Sequence, residues 1–200
     1  MIQMTGAQIE RRVEELGSWH YCWQLPSGHV TGTSAPNLFP DKMKLMIDGG
    51  AFGKPVYPEV LDLGANSGYI AKWFVDNKGS HVTAVERGPK YFPQLEFIIE
   101  VFGLESRIKP VSSTIQKYAW ALDAQYDLVA FLGTLHHIPR KYHNTIFNRC
   151  YESMKDGAEI VVQTKRDENV LGRLVDAGFV AASELYWSDE QDRGAWWAKK

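Results

Sequence analysis

Short apolar segments alternate with segments of helical periodicity from residue 57 to residue 200. The apolar segments are bounded by glycine, proline or acidic residues, which is typical of buried strands. Between them, apolar residues recur at the three- and four-residue spacing of a helix that buries one face. This alternation predicts an α/β fold in which a mostly parallel sheet carries helices on both faces.

The predicted strands are 60–63, 81–86, 107–111, 126–132 and 158–164. The predicted helices between and after them are 68–77, 90–102, 113–120, 144–154 and 170–177. Residues 179–186 and 194–198 have the pattern of a closing hairpin, with a turn between two strand-like segments. The hairpin is expected to add an antiparallel edge to the sheet.

The first part of the chain is less regular. Thr5 is predicted to cap a helix that ends at Gly17. Residues 19–31 alternate aromatic and polar side chains around a Pro-Ser-Gly turn, which predicts a hairpin. We interpret residues 1–56 as a cover made of a helix and a hairpin, and residues 57–200 as the main domain.

Composition narrows the range of functions only modestly. The 200 residues are 44% hydrophobic, and the formal net charge is -2. A chain with this balance has no overall field that would attract nucleic acid or an anionic membrane. No apolar run approaches the 18 residues of a membrane span, and residues 1–15 lack the apolar segment of a signal peptide. The two cysteines match no zinc spacing, so buried thiols in the cytoplasm are expected and no metal site is predicted.

The most informative segment is the turn after the first predicted strand. Asp62 ends the strand, and the pattern Asp62-x-Gly64-x-x-x-Gly68, with Asn66 in the middle, leads into a helix. Glu86 ends the second strand and can accept both hydroxyls of a ribose. A dinucleotide fingerprint has a different spacing, G-x-G-x-x-G. A turn in a Rossmann-like domain that binds another ligand, or nothing, remains the alternative.

This pattern resembles motif I of the class I S-adenosylmethionine (SAM) methyltransferases, and the resemblance extends over about residues 57–165. It implies a Rossmann-like, doubly wound sheet with a C-terminal antiparallel hairpin, and SAM as the cofactor. Gly64 and Gly68 would lie beside the methionine part, and Asp62 would hold the loop or meet the ammonium. The expected cofactor contacts are Asp62, Gly64, Asn66, Gly68, Glu86, Arg87, Ser113, Thr114, Gly133, Thr134 and Leu135.

One turn departs from the family pattern. After the third strand, members of the family often place an acid near the adenine amino group, whereas this chain has hydroxyl side chains at 112–114. Adenine contacts are therefore expected from the backbone and from Ser113 or Thr114.

The segment after the fourth strand, residues 131–139, also resembles many class I methyltransferases because two histidines precede an apolar residue and a proline. Gly133 is expected beside the methyl-bearing sulfur. His136 or His137 is the candidate general base, since a histidine with an unperturbed pKa of about 6.5 can accept a proton near neutral pH. The alternative is that one histidine packs structurally and the other only lines the pocket.

Residues 18–32 have a narrower resemblance to tRNA wobble-uridine carboxymethyltransferase-like proteins, which use SAM or a carboxylated SAM. The resemblance adds tRNA as an alternative partner. The candidate substrate contacts are Trp19, His20, His29 and Arg140. For Trp19, packing on the core is the alternative.

These observations predict methyl transfer from SAM to an oxygen or nitrogen of a small-molecule or nucleoside-like acceptor. The segment after the fourth strand lacks the N/D-P-P-Y/F tetrapeptide of the amino-methylating DNA and glutamine enzymes. Two other functions stay open: modification of the tRNA wobble uridine, and a non-catalytic SAM-binding subunit. A homodimer is an alternative to a monomer, and no membrane association is expected.

Overall fold

The computed structural model describes residues 4–32, 38–118, 120, 125–165, 169–189 and 192–200. The helices are α1 (Gly6–Glu15), α2 (Leu38–Asp48), α3 (Tyr69–Lys78), α4 (Tyr91–Val101), α5 (His143–Ser153) and α6 (Val170–Asp176). The strands are β1 (Glu59–Leu63), β2 (His81–Glu86), β3 (Ile108–Ser112), β4 (Tyr126–Leu132), β5 (Met154–Lys165), β6 (Val180–Ser188) and β7 (Arg193–Lys199). Single 3₁₀ turns lie at Ile115–Lys117, Leu135–His137 and Arg140–Tyr142.

One seven-stranded sheet organises the molecule, in the order β3-β2-β1-β4-β5-β7-β6. The first five strands pair in parallel, and β7 pairs antiparallel with both β5 and β6. The predicted α/β fold with a closing antiparallel hairpin is confirmed. Strand order reverses between β1 and β4, and ligands of such sheets bind at the carboxyl ends of the strands beside this point.

The sheet separates two apolar layers. Val60 of β1 faces the layer that contains Phe74 of α3, whereas its neighbour Leu61 faces the layer that contains Phe147 of α5. Both strand residues are fully buried because each side chain is covered by a different set of helices. This is why the central strands are apolar along their whole length instead of alternating.

The N-terminal segment packs against α4. A capping box starts α1, in which the Thr5 hydroxyl accepts from the Gln8 N–H and the Gln8 side chain accepts from the Thr5 N–H. The predicted hairpin over 19–31 is reduced to one antiparallel bridge, between Gln24 and Val30.

The boundary near residue 56 stays a prediction. Ile9 and Val13 of α1 lie in one apolar cluster with Phe97 of α4. Met43 and Met46 of α2 belong to the apolar layer of the sheet itself. The N-terminal segment therefore shares the core of the remaining chain.

Two further predicted elements differ in the structure. Strand β5 begins at Met154, before the predicted start at residue 158, and contains a bulge, because pairing with β4 begins at Met154 and resumes at Glu159. The helix expected over 113–120 is a single 3₁₀ turn, Ile115–Lys117, although residue 119 lies outside the described part. The Ser113 hydroxyl donates to the Thr114 carbonyl at 3.0 Å, a local bond that competes with helix formation. None of the described helices is long and apolar enough to cross a membrane.

Candidate active site

A cavity of about 510 Å³ lies at the carboxyl edge of the sheet. Its walls come from the turns after β1, β2, β3 and β4, from the N-terminal segment, and from β5 and β7. The lining residues are His20, Tyr21, Gly64, Asn66, Val85, Glu86, Arg87, Tyr91, Ser113, Thr114, Ile115, Gln116, Leu132, Gly133, Thr134, His137, Ile138, Gln163 and Arg193.

The turn after β1 is packed too closely for side chains at its glycines. Gly64 has φ +86°, and a Cβ there would lie 2.6 Å from Thr134 Cγ2 and closer still to Thr134 Oγ1. Gly68 also has φ +86°, and a Cβ there would lie 2.6 Å from Leu95 Cδ1. Asn66 takes a left-handed conformation, and its side-chain oxygen accepts from the Ser67 N–H at 2.7 Å. Gly64 therefore lets backbone, instead of a side chain, line this end of the cavity.

Glu86 is held in place by the backbone. One carboxylate oxygen accepts from the Asn66 N–H and the other from the Arg87 N–H, each at 2.8 Å. Burial raises the pKa of Glu86, and the two N–H donors oppose that shift. Each oxygen keeps a second lone pair, so the carboxylate can still accept two hydroxyl groups.

Asp62 is a buried carboxyl with an unfilled acceptor. It is 1% exposed, and its Oδ2 atom has no hydrogen-bond partner among the described residues. Burial, and then the charge of Glu86, raise the pKa of Asp62 to about 8. A buried acceptor of this kind is unfavourable unless a donor or cation arrives to pair with it. The carboxylate acceptors of Glu86 and Asp62 therefore fit a ligand that has a vicinal pair of hydroxyls and an ammonium, as SAM does.

Gly133 marks the place where the turn after β4 meets β5 and β7. Its N–H donates to the Gln163 carbonyl at 2.8 Å. A Cβ at Gly133 would lie 3.5 Å from Gln163 Oε1 and 3.6 Å from Arg193 Nη1. Two polar side chains from distant parts of the sequence thus approach the residue that was predicted to lie beside the sulfur.

The two histidines differ in their surroundings. His136 Nδ1 lies 3.3 Å from Thr164 Oγ1, and His136 Nε2 lies 3.4 Å from Arg193 Nη2. Because a guanidinium only donates, Nε2 accepts, and Nδ1–H donates to the threonine. Partial burial, His137 and Arg193 lower the pKa of His136 to about 4. His136 does not line the cavity, so its predicted place as the base is corrected: both ring nitrogens already have partners.

His137 keeps the geometry that a base needs. It lines the cavity and is largely exposed. Partial burial, followed by Arg193, Arg87 and Lys165, lowers the pKa of His137. Its imidazole is therefore neutral near pH 7, and a neutral imidazole can accept a proton.

The structure brings most of the predicted site residues together. Those that line the cavity are Gly64, Asn66, Glu86, Arg87, Ser113, Thr114, Gly133, Thr134, His137 and His20. Asp62 and Gly68 belong to the same turn but do not line the cavity. Leu135 was expected to contact the cofactor and instead is fully buried in the core.

Three predicted substrate residues lie elsewhere. Trp19 is buried, its ring meets Phe97 edge-on at 5.9 Å, and its indole N–H donates to the Val13 carbonyl. It belongs to the apolar cluster under the N-terminal segment because a large apolar ring gains more from burial than from exposure. His29 and Arg140 are also outside the cavity.

Sequence reasoning missed nine residues that line the cavity: Tyr21, Val85, Tyr91, Ile115, Gln116, Leu132, Ile138, Gln163 and Arg193. Burial and then the charge of Asp62 raise the pKa of Tyr21, so its hydroxyl stays protonated. Tyr21 lies beside the predicted contact His20, and the aromatic alternation there is a usable signal. Gln163 and Arg193 have no such signal, because only strand pairing brings them to the site.

Residues 60–157 match a family model described as a methyltransferase domain. Residues 60–157, just under half of the chain, are therefore a methyltransferase domain. At the level of this domain, the predictions of a methyltransferase and of SAM as its cofactor are confirmed.

Curated relatives of this methyltransferase domain include the ubiquinone biosynthesis O-methyltransferases of Salmonella newport (strain SL254) and Escherichia coli O127:H6. The first is 30% identical over 118 residues, which are 58% of this chain and 44% of the relative. The second has the same identity and covers 45% of the relative. The match thus spans less than half the length of these proteins.

Solved structures share the fold of this chain. The N-terminal domain of EvdMO1, crystallised in the presence of S-adenosylhomocysteine (SAH) and D-fucose, has a TM-score of 0.75 at 15% identity. That comparison covers 98% of this chain and 97% of the other. The 1,6-didemethyltoxoflavin-N1-methyltransferase of Burkholderia thailandensis, with SAH bound, has a TM-score of 0.63 at 18% identity and covers 80% of this chain and 77% of the other.

Proposed function

We propose that this chain binds SAM in the cavity and transfers its methyl group to an oxygen or nitrogen of a small molecule. The observation that carries the proposal is the combination of Glu86, fixed with two lone pairs available, and Asp62, buried with Oδ2 unpartnered. Glu86 offers acceptors for two hydroxyls at the cavity wall, and Asp62, two residues before Gly64, offers a buried carboxyl whose charge would balance an ammonium of the same ligand.

The cofactor would be held by residues from four turns. Glu86 would accept the ribose hydroxyls, and the turn at Gly64 would face the methionine part. Ser113 and Thr114 would border the adenine, and Asp62 would balance the ammonium. These roles follow from the order of the turns along the carboxyl edge.

The chemistry required of the protein itself is limited. SAM, when bound, supplies a methyl group on a good sulfonium leaving group. The chain must orient the acceptor in line with that group and exclude water, which is worth several orders of magnitude in rate. His137 is the residue placed to receive a proton when the acceptor is a hydroxyl.

A small acceptor fits this site better than tRNA does. A cavity of about 510 Å³ is of the size that takes a cofactor and a small substrate. Trp19, the ring considered for stacking on a base, is in the core. The relatives named above include two O-methyltransferases and one N-methyltransferase, so both acceptor atoms stay within the proposal. The cytoplasmic location and the homodimer stay predictions.

Calorimetry with SAM, SAH and NAD tests the cofactor part. SAM and SAH are expected to bind with one site per chain, and NAD is expected not to bind. Transfer is then measured as SAH release with panels of phenols, hydroxy acids and amines. Binding of NAD without SAM or SAH would overturn the proposal, and SAH binding without transfer to any acceptor would favour a non-catalytic subunit.

A further inference from the structure

Strand pairing puts Arg193 at the carboxyl edge of the sheet. Because β7 runs antiparallel to β5, the first residue of β7 pairs with the last residue of β5, Lys165. Arg193 is half-buried, lines the cavity, and has its Nη1 atom 3.6 Å from where a Cβ on Gly133 would be. Its guanidinium thus lies where the acceptor, and not the adenosine, is expected.

The direction of the Arg193 side chain is fixed by His136. Nη2 donates to His136 Nε2, and the other ring nitrogen donates to Thr164. The lowered pKa of His136 means that the ring stays neutral and able to accept at neutral pH. A neutral partner orients the guanidinium without cancelling its charge.

The charges around Arg193 leave this end of the cavity positive. Within the described ranges, no carboxylate lies at ion-pair distance from its guanidinium. Arg87 lines the same cavity, and Lys165 is paired beside Arg193 in the sheet. Glu86 is the lining carboxylate, and both of its oxygens accept backbone N–H groups at another turn.

We propose that Arg193 binds an anionic oxygen group of the methyl acceptor, a carboxylate or a phosphate, with His136 as the residue that positions the guanidinium. This inference rests on the proposed function and names the substrate class for it. The guanidinium has donors left on Nη1 and Nε, which suit the two oxygens of such a group. A neutral acceptor would leave a half-buried charge without a partner, so the site selects for anionic acceptors.

The test uses the full chain saturated with SAH, labelled with ¹⁵N, and titrated with benzoate, benzamide and inorganic phosphate. The backbone N–H signals of Gly133 and Gln163 report on the site, and the exposed Gly103 serves as the reference signal. Benzoate, phosphate or both are expected to shift the two site signals in a saturable way, and the neutral benzamide is not. Benzoate alone would assign a carboxylate, and phosphate alone a phosphate.

Three variants test whether the anion binds at the Arg193 guanidinium. Arg193→Gln is expected to weaken the binding of the anion by at least about tenfold, the loss expected for a charge-assisted contact. Arg193→Lys keeps the charge without the planar guanidinium, so its affinity for the anion is expected to lie between those of the wild type and Arg193→Gln. This variant keeps the test usable if Arg193→Gln folds poorly. Arg11→Gln removes a guanidinium from the exposed surface of α1 and is expected to bind like the wild type.

The role of His136 is tested by its own pair of variants. His136→Ala removes the acceptor for Arg193 and is expected to weaken benzoate or phosphate binding severalfold while leaving SAH affinity unchanged. His136→Gln retains a side-chain acceptor of similar reach and is expected to restore most of the binding. Equal losses in both variants would assign His136 a purely structural role and overturn this part.

Failure of this inference can be told apart from failure of the proposed function. If SAH does not bind, the proposed function is wrong. If SAH binds but no anion shifts the Gly133 and Gln163 signals, or Arg193→Gln leaves those shifts unchanged, the inference about Arg193 is overturned alone. The inference about Arg193 is also overturned if Arg193→Gln weakens the binding of SAH and leaves the binding of the added anion unchanged. Arg193 would then belong to the cofactor site.

Discussion

Gly64 and Thr134, which follow β1 and β4, approach so closely that a single added Cβ on the glycine would overlap the threonine side chain. The two residues are 70 positions apart in the sequence, but β1 and β4 are neighbours in the sheet. The contact brings together the turn expected to hold the methionine part of SAM and the turn that carries the histidines. The width of the cavity at this point is thus set by the absence of a side chain.

Gly64→Ala is therefore expected to damage the site. The alanine would have to adopt φ +86°, at a cost of about 1–2 kcal/mol, and would also push Thr134 away, at about 1–3 kcal/mol more. Chemical denaturation measures the stability loss, and calorimetry the fall in SAH affinity. Gly79→Ala is the matched control, because Gly79 has φ +64° and nothing within 4 Å of its Cβ position. Equal stability losses in both variants would show that the overlap with Thr134 has no cost.

Glu86→Gln is expected to lower SAH affinity at least about tenfold, since charge-assisted hydrogen bonds to two hydroxyls are weakened. The amide also turns an N–H₂ group toward one of two backbone N–H donors, which disturbs the turn at Asn66 or Arg87. Calorimetry gives the affinity. Glu105→Gln, on an exposed turn, is the control and should bind SAH normally. An unchanged affinity for Glu86→Gln would remove Glu86 from the site.

SAH binding is expected to release a proton from Asp62. The raised pKa of about 8 keeps this carboxyl mostly protonated at pH 7, and an ammonium beside it favours the ionised form. Release should approach about one proton per SAH at pH 7, and should fall to about half of that near pH 8 as the free protein itself loses the proton. Calorimetry in buffers of different ionisation enthalpy measures it.

The raised pKa of Asp62 also makes the stability of the ligand-free protein depend on pH. Because the folded state holds this proton between the unfolded pKa of 3.8 and the folded pKa of about 8, Asp62 lowers stability as pH rises through that window. Asp62→Asn should remove both effects, while Asp76→Asn, at an exposed position of α3, should remove neither. A wild-type protein that releases no proton would assign Asp62 a structural role only.

His137→Ala is expected to lower turnover by about 10²–10⁴-fold on a hydroxyl acceptor without changing SAH affinity. The wild-type rate should rise with pH with a midpoint below pH 6.5, because the pKa of His137 is lowered and only the neutral ring accepts a proton. Steady-state kinetics over pH 5–8 provides the measurement. His81→Ala, which removes an exposed histidine, is the control for this loss of turnover. Turnover close to wild type in His137→Ala would mean that positioning alone drives the reaction.

Local sequence determined the cofactor half of the site. The alternation of apolar and helical segments predicts β1 to β4 to within about two residues, since buried strands need continuous apolar side chains. The spacing of Asp62, Gly64 and Glu86 then predicts a ligand site, because parallel strands end at one edge of the sheet. These inferences need only contacts within one βαβ unit.

The tertiary structure decided the acceptor half. Arg193 reaches Gly133 only because β7 inserts antiparallel between β5 and β6, and that register depends on packing across the whole sheet. The same long-range packing gives His136 a guanidinium partner and leaves His137 facing the cavity. It also draws Trp19 into the core, where the burial of an indole outweighs any role at the surface. Residues distant in sequence determine these positions, so no local pattern could predict them.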